Sequence, residues 1–469
     1  MGLPLRRFEG YEEWLNTSKI PGGQGVPFVV LEGLSISVVE VDAASRAASN
    51  NDRSKLPGTN QNRSAFQSRG LTANRSRYLT LPNWEKVARM SDIDIIVVGA
   101  GIVGTSTALW LQLRGHKVML VDPNPPGSGT SSGNACTIAT YACIPVNSPA
   151  VLTGLVGLMT NANSPLSISY AHALRNPLWI LSFLSNCRAT RSREITEHLA
   201  SILSHADAGL NPLIKEAQAD DLIVNRGQLT VWSTAKGATA DLSSLALRKS
   251  CGIPFTELTG AEVREMEPGL TLPIEKGVHY PEARHIRDPE ELVRRFHARF
   301  SELGGQTLCA RVDATGADAE GVTVTAGDTS IRASRVVIAA GAFSKQIKGS
   351  GAERLPLGVE RGYHVLYAGE AHRITRPVGW AEGGFYAVPM AKGLRLAGTV
   401  EIAALDAPKN KGRIDHIARK GSEMFADLPA PTSDWLGYRP SMPDALPVIG
   451  PSAISDRIIH AFGHQHLGL

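Results

Sequence analysis

Three glycines spaced as Gly99-Ala100-Gly101-Ile102-Val103-Gly104 form the densest chemical signal in the chain. Glycine there would let backbone amides approach a diphosphate: Gly99 for a tight turn, Gly101 for close approach, Gly104 for packing of helix on strand. The helix that follows would offer its free N–H groups and the positive end of its dipole to the phosphates. About 20 residues further on, at the end of the next apolar run, Asp122 can accept hydrogen bonds from ribose hydroxyls and disfavours a 2′-phosphate. A glycine turn alone is a weak signal. Here it has a buried strand before it, a helix after it and an acid at the right spacing. The motif does not separate NAD from FAD.

These residues need elements to hold them. Ile93–Val98 is a nearly continuous apolar run, as expected for a parallel strand buried on both faces. Ile102–Arg114 reads as a helix and Lys117–Val121 as a second strand. A long helix is predicted from Arg193 to Ala217, with Ile195, Leu199, Ile202 and Leu203 at helical spacing. A shorter one, Pro289–Leu303, stops at Gly304-Gly305. Strand-like pieces follow at Thr307–Val312, Val322–Thr325 and Arg335–Ala339, and no internal repeat is visible.

Further motifs come after the cradle. Gly129-Thr130-Ser131-Ser132-Gly133-Asn134-Ala135 follows Asp122, and Arg335-Val336-Val337-Ile338-Ala339-Ala340-Gly341 runs from a strand into a glycine turn. Near the end stand Gly437-Tyr438-Arg439-Pro440-Ser441-Met442-Pro443-Asp444-Ala445-Leu446-Pro447-Val448-Ile449-Gly450 and Gly463-His464-Gln465-His466-Leu467-Gly468. In this order, from Ser91 to Leu469, the set resembles the D-amino-acid dehydrogenase branch of the FAD-dependent amine oxidoreductases, which includes glycine and sarcosine oxidases.

The resemblance implies an α/β fold: a discontinuous Rossmann-type FAD-binding domain with an inserted α+β substrate domain whose mostly antiparallel sheet covers the flavin. It assigns residues 90–143, 277–347 and 434–469 to the first, and 144–276 and 348–433 to the second. Strand candidates in the second are Gly227–Trp232, Ala387–Met390 and Leu394–Thr399. FAD is the implied cofactor, held by Gly99, Gly101, Ile102, Val103, Gly104, Asp122, Pro123, Ser131, Ser132, Asn134, Val312, Ala340, Gly341, Gly463, His464, Leu467 and Gly468.

Such enzymes move a hydride from the α-carbon of an amine to the flavin, and the imine is hydrolysed to a keto acid and ammonia. A guanidinium meeting both carboxylate oxygens would fix the α-carbon over the ring. Arg439 matches the arginine that the family's GxRP segment places near that carboxylate. Tyr363, His364 and Tyr386 are expected to line the pocket. His464 and His466 have the spacing of a metal pair, but their place in the flavin-facing loop argues against a metal. The resemblance also implies a further helix after Gly468, its N-terminus toward the flavin pyrimidine; this sequence stops at Leu469, short of it.

Three functions stay open: a D-amino-acid dehydrogenase passing electrons to a quinone or other acceptor, an oxygen-using oxidase of glycine, sarcosine or another secondary amine, and a truncated, inactive flavin-fold protein.

Composition bounds the partners. The 469 residues are 43% hydrophobic and 20% charged with a net charge of +4, which gives no basis for nucleic-acid binding. Five scattered cysteines without a CxxC pair read as reduced thiols rather than a disulfide frame. No apolar run approaches the ~18 residues that span a bilayer. The expectation is a cytoplasmic enzyme, with peripheral contact on the inner membrane face left open. Residues 1–89 are polar and basic after Ser45 and read as disordered or as an over-extended reading frame, with Met90 as the biological start.

Overall fold

A computed structural model describes residues 93–152 and 166–468, together with the backbone of a two-residue ladder at 31–32 and 35–36. The expectations for residues 1–89 and for a start at Met90 lie outside the described residues.

Strand β1, Ile95–Val98, is buried along almost its whole length and delivers the chain to Gly99 at its carboxyl end. Gly99 adopts φ +109°, a conformation that a side chain at this position would strain, and the chain turns directly into helix α1, Ile102–Leu113. Strand β2, Val118–Asp122, returns parallel to β1. The sheet is completed by β3 (Gln306–Cys309), β4 (Arg335–Ile338), β5 (Val448–Pro451) and β6 (Ile458–Phe462), in the order β3-β2-β1-β4-β6-β5. All neighbours are parallel except β5 and β6. The strand order changes direction beside β1, so the crevice of this doubly wound sheet opens at the end of β1, where the glycine turn sits.

The helix before β3 shows how local sequence sets these elements. In Pro289–Glu302 the Asp288 side chain accepts from the Glu291 amide at 3.2 Å, Pro289 takes the first turn where no N–H is needed, and Glu290 and Glu291 face the positive helix end. Leu292, Val293, Phe296 and Phe300 form its buried stripe. Gly304, at φ +91°, ends it.

A second, nine-stranded sheet packs over the crevice. Its order is Ser433–Ser441, Gly358–Ala368, Gly393–Ile402, Phe385–Met390, Val378–Trp380, Gln228–Trp232, Lys276–Tyr280 and Thr256–Thr259, with Leu166–Ile168 added alongside Gly393–Ile402. It is antiparallel apart from two parallel pairings. The strands Lys276–Tyr280 and Ser433–Ser441, which stand where the chain passes between the two sheets, both hydrogen-bond into this one. One large apolar cluster, including Tyr363, Val365, Trp380, Leu394, Leu396 and Phe425, fills its far side.

The stretch predicted as one helix from Arg193 to Ala217 is two helices, Ala189–Ser204 and Ala206–Glu216, joined at His205. Ile195, Leu199 and Leu203 are buried as their spacing requires, whereas Ile202 is half-buried. His205 keeps a right-handed helical φ of −94°, so the apolar rhythm passes through the break without interruption.

Candidate active site

Between the two sheets lies a cavity of about 620 Å³, inside the usual size range of small-molecule and cofactor sites. Its floor is the glycine turn. A Cβ on Gly99 would stand 2.4 Å from the Ala339 carbonyl oxygen, and one on Gly104 would stand 1.8 Å from the Gly99 oxygen. Gly104 therefore sits behind the cradle, not in the cavity lining, and its role is to let α1 close onto the turn. Gly101 borders the cavity as the N-cap of α1; it gives no side-chain cap, and the first helical turn carries no acid. Such an end is short of acceptors for its amides. Ser131 supplies one, its hydroxyl accepting from the Ile102 N–H at 3.0 Å.

Asp122 reaches the same place from the end of β2. One carboxylate oxygen accepts from the Ala100 N–H and the other from the Asn124 N–H, both at 2.8 Å, so the acid is fixed at the rim of the cradle with acceptor capacity left over. Pro123, Asn134, Val312, Ala340 and Gly341 line the cavity beside it, as do Ile102 and Val103. Gly341 turns at φ +55° after β4.

The loop that carries Ser131 and Asn134 is latched to the second sheet at three points. The Thr130 hydroxyl bonds the backbone of Tyr438 at 3.1 and 3.3 Å. The Asn134 carbonyl accepts from Arg395 at 2.9 Å. The Gly133 carbonyl accepts from Nδ1 of His364 at 2.9 Å. Ser132 is turned into its own loop, donating to the Gly129 oxygen at 2.9 Å, and is not part of the lining.

The second sheet forms the roof. Arg439 and Glu360 are cross-strand partners. The Arg439 side chain lies across Gly362, where a Cβ would come within 2.7 Å of its terminal nitrogen. The guanidinium borders the cavity, and within the chain it makes no hydrogen bond or ion pair among the described residues. Burial pulls its pKa below the ordinary arginine value, opposed by the charge of Glu360. Burial pushes the Glu360 carboxyl up, and Arg439 opposes that in turn. Gln465 donates to one oxygen of Glu360 at 3.3 Å and the other has no partner.

Tyr363 and Tyr386 both border the cavity. The Tyr363 hydroxyl is committed elsewhere: it donates to Glu401 at 2.6 Å, in a network with Arg361 and Asn410. Burial, with Glu401 beside it, raises it to about 12. The Tyr363 ring packs in the apolar cluster on the far side of the sheet, so the residue borders the cavity without turning its side chain into it. His364 stands behind Trp435, stacked on it at 5.1 Å between ring centres, and does not join the lining. Burial lowers its pKa to about 3, so it is a neutral packing histidine whose Nδ1–H is used by Gly133.

The last loop closes the far end. Gly463, at φ +86°, makes the turn after β6; His464, Gln465, His466 and Gly468 border the cavity, whereas Leu467 packs with Ile195, Leu199 and Ala445. The Gln465 N–H donates to the Pro440 oxygen at 2.9 Å, tying this loop to the residue after Arg439.

Two lining residues carry no sequence signal. Tyr141 stacks on Tyr280 at 4.0 Å and faces Tyr386. Thr399 sits at φ +56° where Gly393–Ile402 slips register against Gly358–Ala368, and its buried hydroxyl has no partner. A β-branched residue in that conformation is strained. A threonine in a strand run gives no warning of it, because the bulge exists only once the two strands are paired.

With this geometry in place, the comparisons are specific. A family model described as FAD dependent oxidoreductase matches residues 94–469. The chain belongs to that family.

This FAD-dependent oxidoreductase is 33% identical over 386 residues to a D-amino-acid oxidase of Bradyrhizobium diazoefficiens, covering 80% of this chain and 91% of the relative. It is 27% identical over 406 residues to D-amino acid dehydrogenase 2 of Ralstonia nicotianae, covering 80% and 93%. Among solved structures, glycine oxidase from Geobacillus kaustophilus superposes with a TM-score of 0.59 at 21% identity, over 80% of this chain and 90% of that one. The oxidoreductase therefore has the two-sheet flavoprotein fold and takes FAD. The vacant acceptor capacity of Asp122, the α1 tip without a cap and the Cβ-intolerant glycine cradle fit the ribose and diphosphate of that cofactor.

Proposed function

We propose that the oxidoreductase oxidises D-amino acids, with Arg439 holding the substrate carboxylate. What carries this reading is the Arg439 guanidinium: half-buried on the cavity face of the second sheet, seated over Gly362, bordering the cavity, and without a hydrogen-bond acceptor among the described residues. A guanidinium presents parallel N–H donors to both oxygens of a carboxylate, which fixes the α-carbon as well as binding it. FAD supplies the hydride acceptor.

Gly99, Gly101, Ile102 and Val103 hold the diphosphate at the tip of α1, Asp122 the ribose, and Ser131, Asn134, Val312, Ala340 and Gly341 the remaining edges. His464 and Gly468 close the ring end. Tyr386 and Tyr141 make an aromatic wall for the substrate side chain, with Tyr363 bordering it, and Arg439 is the one permanent charge on that part of the lining. Such a wall favours neutral side chains, since a second charge would be desolvated without a partner. Assignment of residues 90–143, 277–347 and 434–469 to the cofactor half and of 144–276 and 348–433 to the substrate half belongs to the same proposal.

The D configuration is supported by the two curated relatives, both named for D-amino acids. Their names differ in acceptor. A quinone or other organic acceptor is our first reading; the relative at 33% identity, named an oxidase, favours oxygen as the second. Among the described residues no helix is long and apolar enough to cross a membrane.

The test is anaerobic mixing of the FAD-loaded protein with D- and L-alanine in parallel. Bleaching of the flavin by the D isomer alone is expected. Bleaching by L-alanine only, or by neither D-alanine nor any of a panel of neutral D-amino acids, defeats the proposal. Hydrogen peroxide release in air would move the acceptor to oxygen.

A further inference from the structure

The helical hairpin Tyr170–Arg175 and Pro177–Asn186 leaves an apolar face uncovered. Leu174 is 83% exposed, Leu178 80%, Leu181 63% and Tyr170 55%. On the second helix Leu178 and Leu181 share one side, while Trp179 and Phe183 are buried on the other. A helix that is apolar on both sides is expected to be covered on both. Single exposed leucines are ordinary; three large ones on adjoining turns mark a docking surface.

The charge around this face says what docks. No Asp or Glu occurs between Asp122 and Glu194, and the only charged residues in that stretch are Arg175, Arg188, Arg191 and Arg193. Arg191 is paired with Glu194; Arg175, which follows Leu174 directly, and Arg188 and Arg193, which follow the hairpin in the chain, are exposed. Apolar residues that can enter acyl chains, rimmed by arginines without acids, are complementary to an anionic lipid surface.

The position of the hairpin gives such contact a use. Trp179 and Phe183, on its inner side, pack in one cluster with Val146, and Val146 lines the cavity between the two sheets. A bilayer on the outer side therefore lies about one helix diameter, roughly 10 Å, from the cavity lining.

We propose that the outer face of this hairpin docks the oxidoreductase onto anionic membrane surfaces by insertion of Leu174, Leu178 and Leu181, with Arg175, Arg188 and Arg193 on the headgroups. A lipid-dissolved electron acceptor would then meet the enzyme beside its cofactor cavity. The docking is independent of the amino-acid reading, because it is measured without substrate.

The experiment is co-sedimentation of the full FAD-loaded chain with phosphatidylcholine vesicles, with and without about a third phosphatidylglycerol. Binding to the anionic vesicles is expected, weakened at least roughly tenfold by Leu174→Ser/Leu178→Ser/Leu181→Ser and comparably by Arg175→Gln/Arg188→Gln or about 0.5 M salt. Flavin content and circular dichroism should be unchanged in both variants, which sets aside misfolding. Wild-type protein that stays in the supernatant with both vesicle types overturns the proposal, as does undiminished binding of the triple serine variant. A wild-type dimer in light scattering that the serine variant converts to monomer, without vesicle binding, would instead make this face a contact between copies and overturn it too.

Discussion

Arg439→Ala tests the proposed substrate anchor, and its consequences divide cleanly. Two charges are involved: the guanidinium that would meet the substrate and the buried Glu360 across the strand pair. Removing the arginine deletes a charge-assisted fork, which costs on the order of 3–4 kcal/mol when the partner carboxylate is left desolvated. That is a fall in kcat/KM of roughly 100- to 1000-fold. It also removes the charge that opposes the burial-driven rise of the Glu360 pKa, which makes protonation of Glu360 easier and limits the cost to folding. The FAD cradle at Gly99 draws on none of this and should stay loaded. Arg439→Lys keeps the charge without the planar fork and should fall in between. The assay is stopped-flow flavin reduction by D-alanine, with flavin absorbance giving occupancy. If Arg439→Ala holds FAD and its kcat/KM stays within about threefold of wild type, the carboxylate is anchored elsewhere, and Arg439 is a structural partner of Glu360.

Three further outcomes follow from the same geometry. Gly362→Ala would put a methyl group against the guanidinium, 2.7 Å from its terminal nitrogen before relaxation, and should raise KM for D-alanine about tenfold with FAD retained; an unchanged KM would show that the guanidinium need not lie over this residue. Gly104→Ala forces α1 away from the turn, since its Cβ would stand 1.8 Å from the Gly99 oxygen; the protein should purify largely without flavin, with a thermal midpoint lowered by a loss of about 1–3 kcal/mol, and a fully yellow, equally stable variant would refute it. Burial lowers the pKa of His364 to about 3 and that of His464 to about 4. Both fall below the unfolded value, so the unfolded chain binds protons first. Their stabilising effect is complete above about pH 6.5 and is lost as pH falls toward 4, about 1–2 kcal/mol each by pH 5. Urea unfolding at pH 7 and pH 5 measures this, and a His364→Gln variant with an unaltered pH dependence would remove His364 from the account.

How much of this was legible before the fold was known depends on how far apart the interacting residues stand. The glycine turn was legible as local fold, because Gly99, Gly101 and Gly104 lie within one strand–turn–helix unit and Asp122 ends the neighbouring strand. The steric demand at Gly104 is set by the Gly99 backbone a few residues away, and that at Gly99 by backbone at the end of the adjacent parallel strand. The strands Ile95–Val98 and Val118–Asp122 and the helix Pro289–Glu302 followed from apolar period and capping residues in the same way. The break at His205 did not, since a helical φ at the joint leaves the rhythm of Ile195, Leu199 and Leu203 intact.

Strand register decided the rest. Pairing Glu360 with Arg439 across Gly358–Ala368 and Ser433–Ser441 turns a sequence match into a half-buried charge seated over a glycine. The slip between Gly362 and Tyr363 strains Thr399 and leaves its buried hydroxyl without a partner, and it is visible in neither strand alone. His364 and Tyr363 are adjacent letters, yet His364 stacks on the cavity-lining Trp435 while the Tyr363 side chain joins the apolar cluster on the far side of the sheet, because alternate residues of a strand point to opposite faces. Local spacing could name the cofactor cradle because its contacts lie near in the chain. The proposed substrate face draws on residues as far apart in the chain as Tyr141, Tyr386 and Arg439, and only hydrogen-bonded register brings such residues together in one orientation.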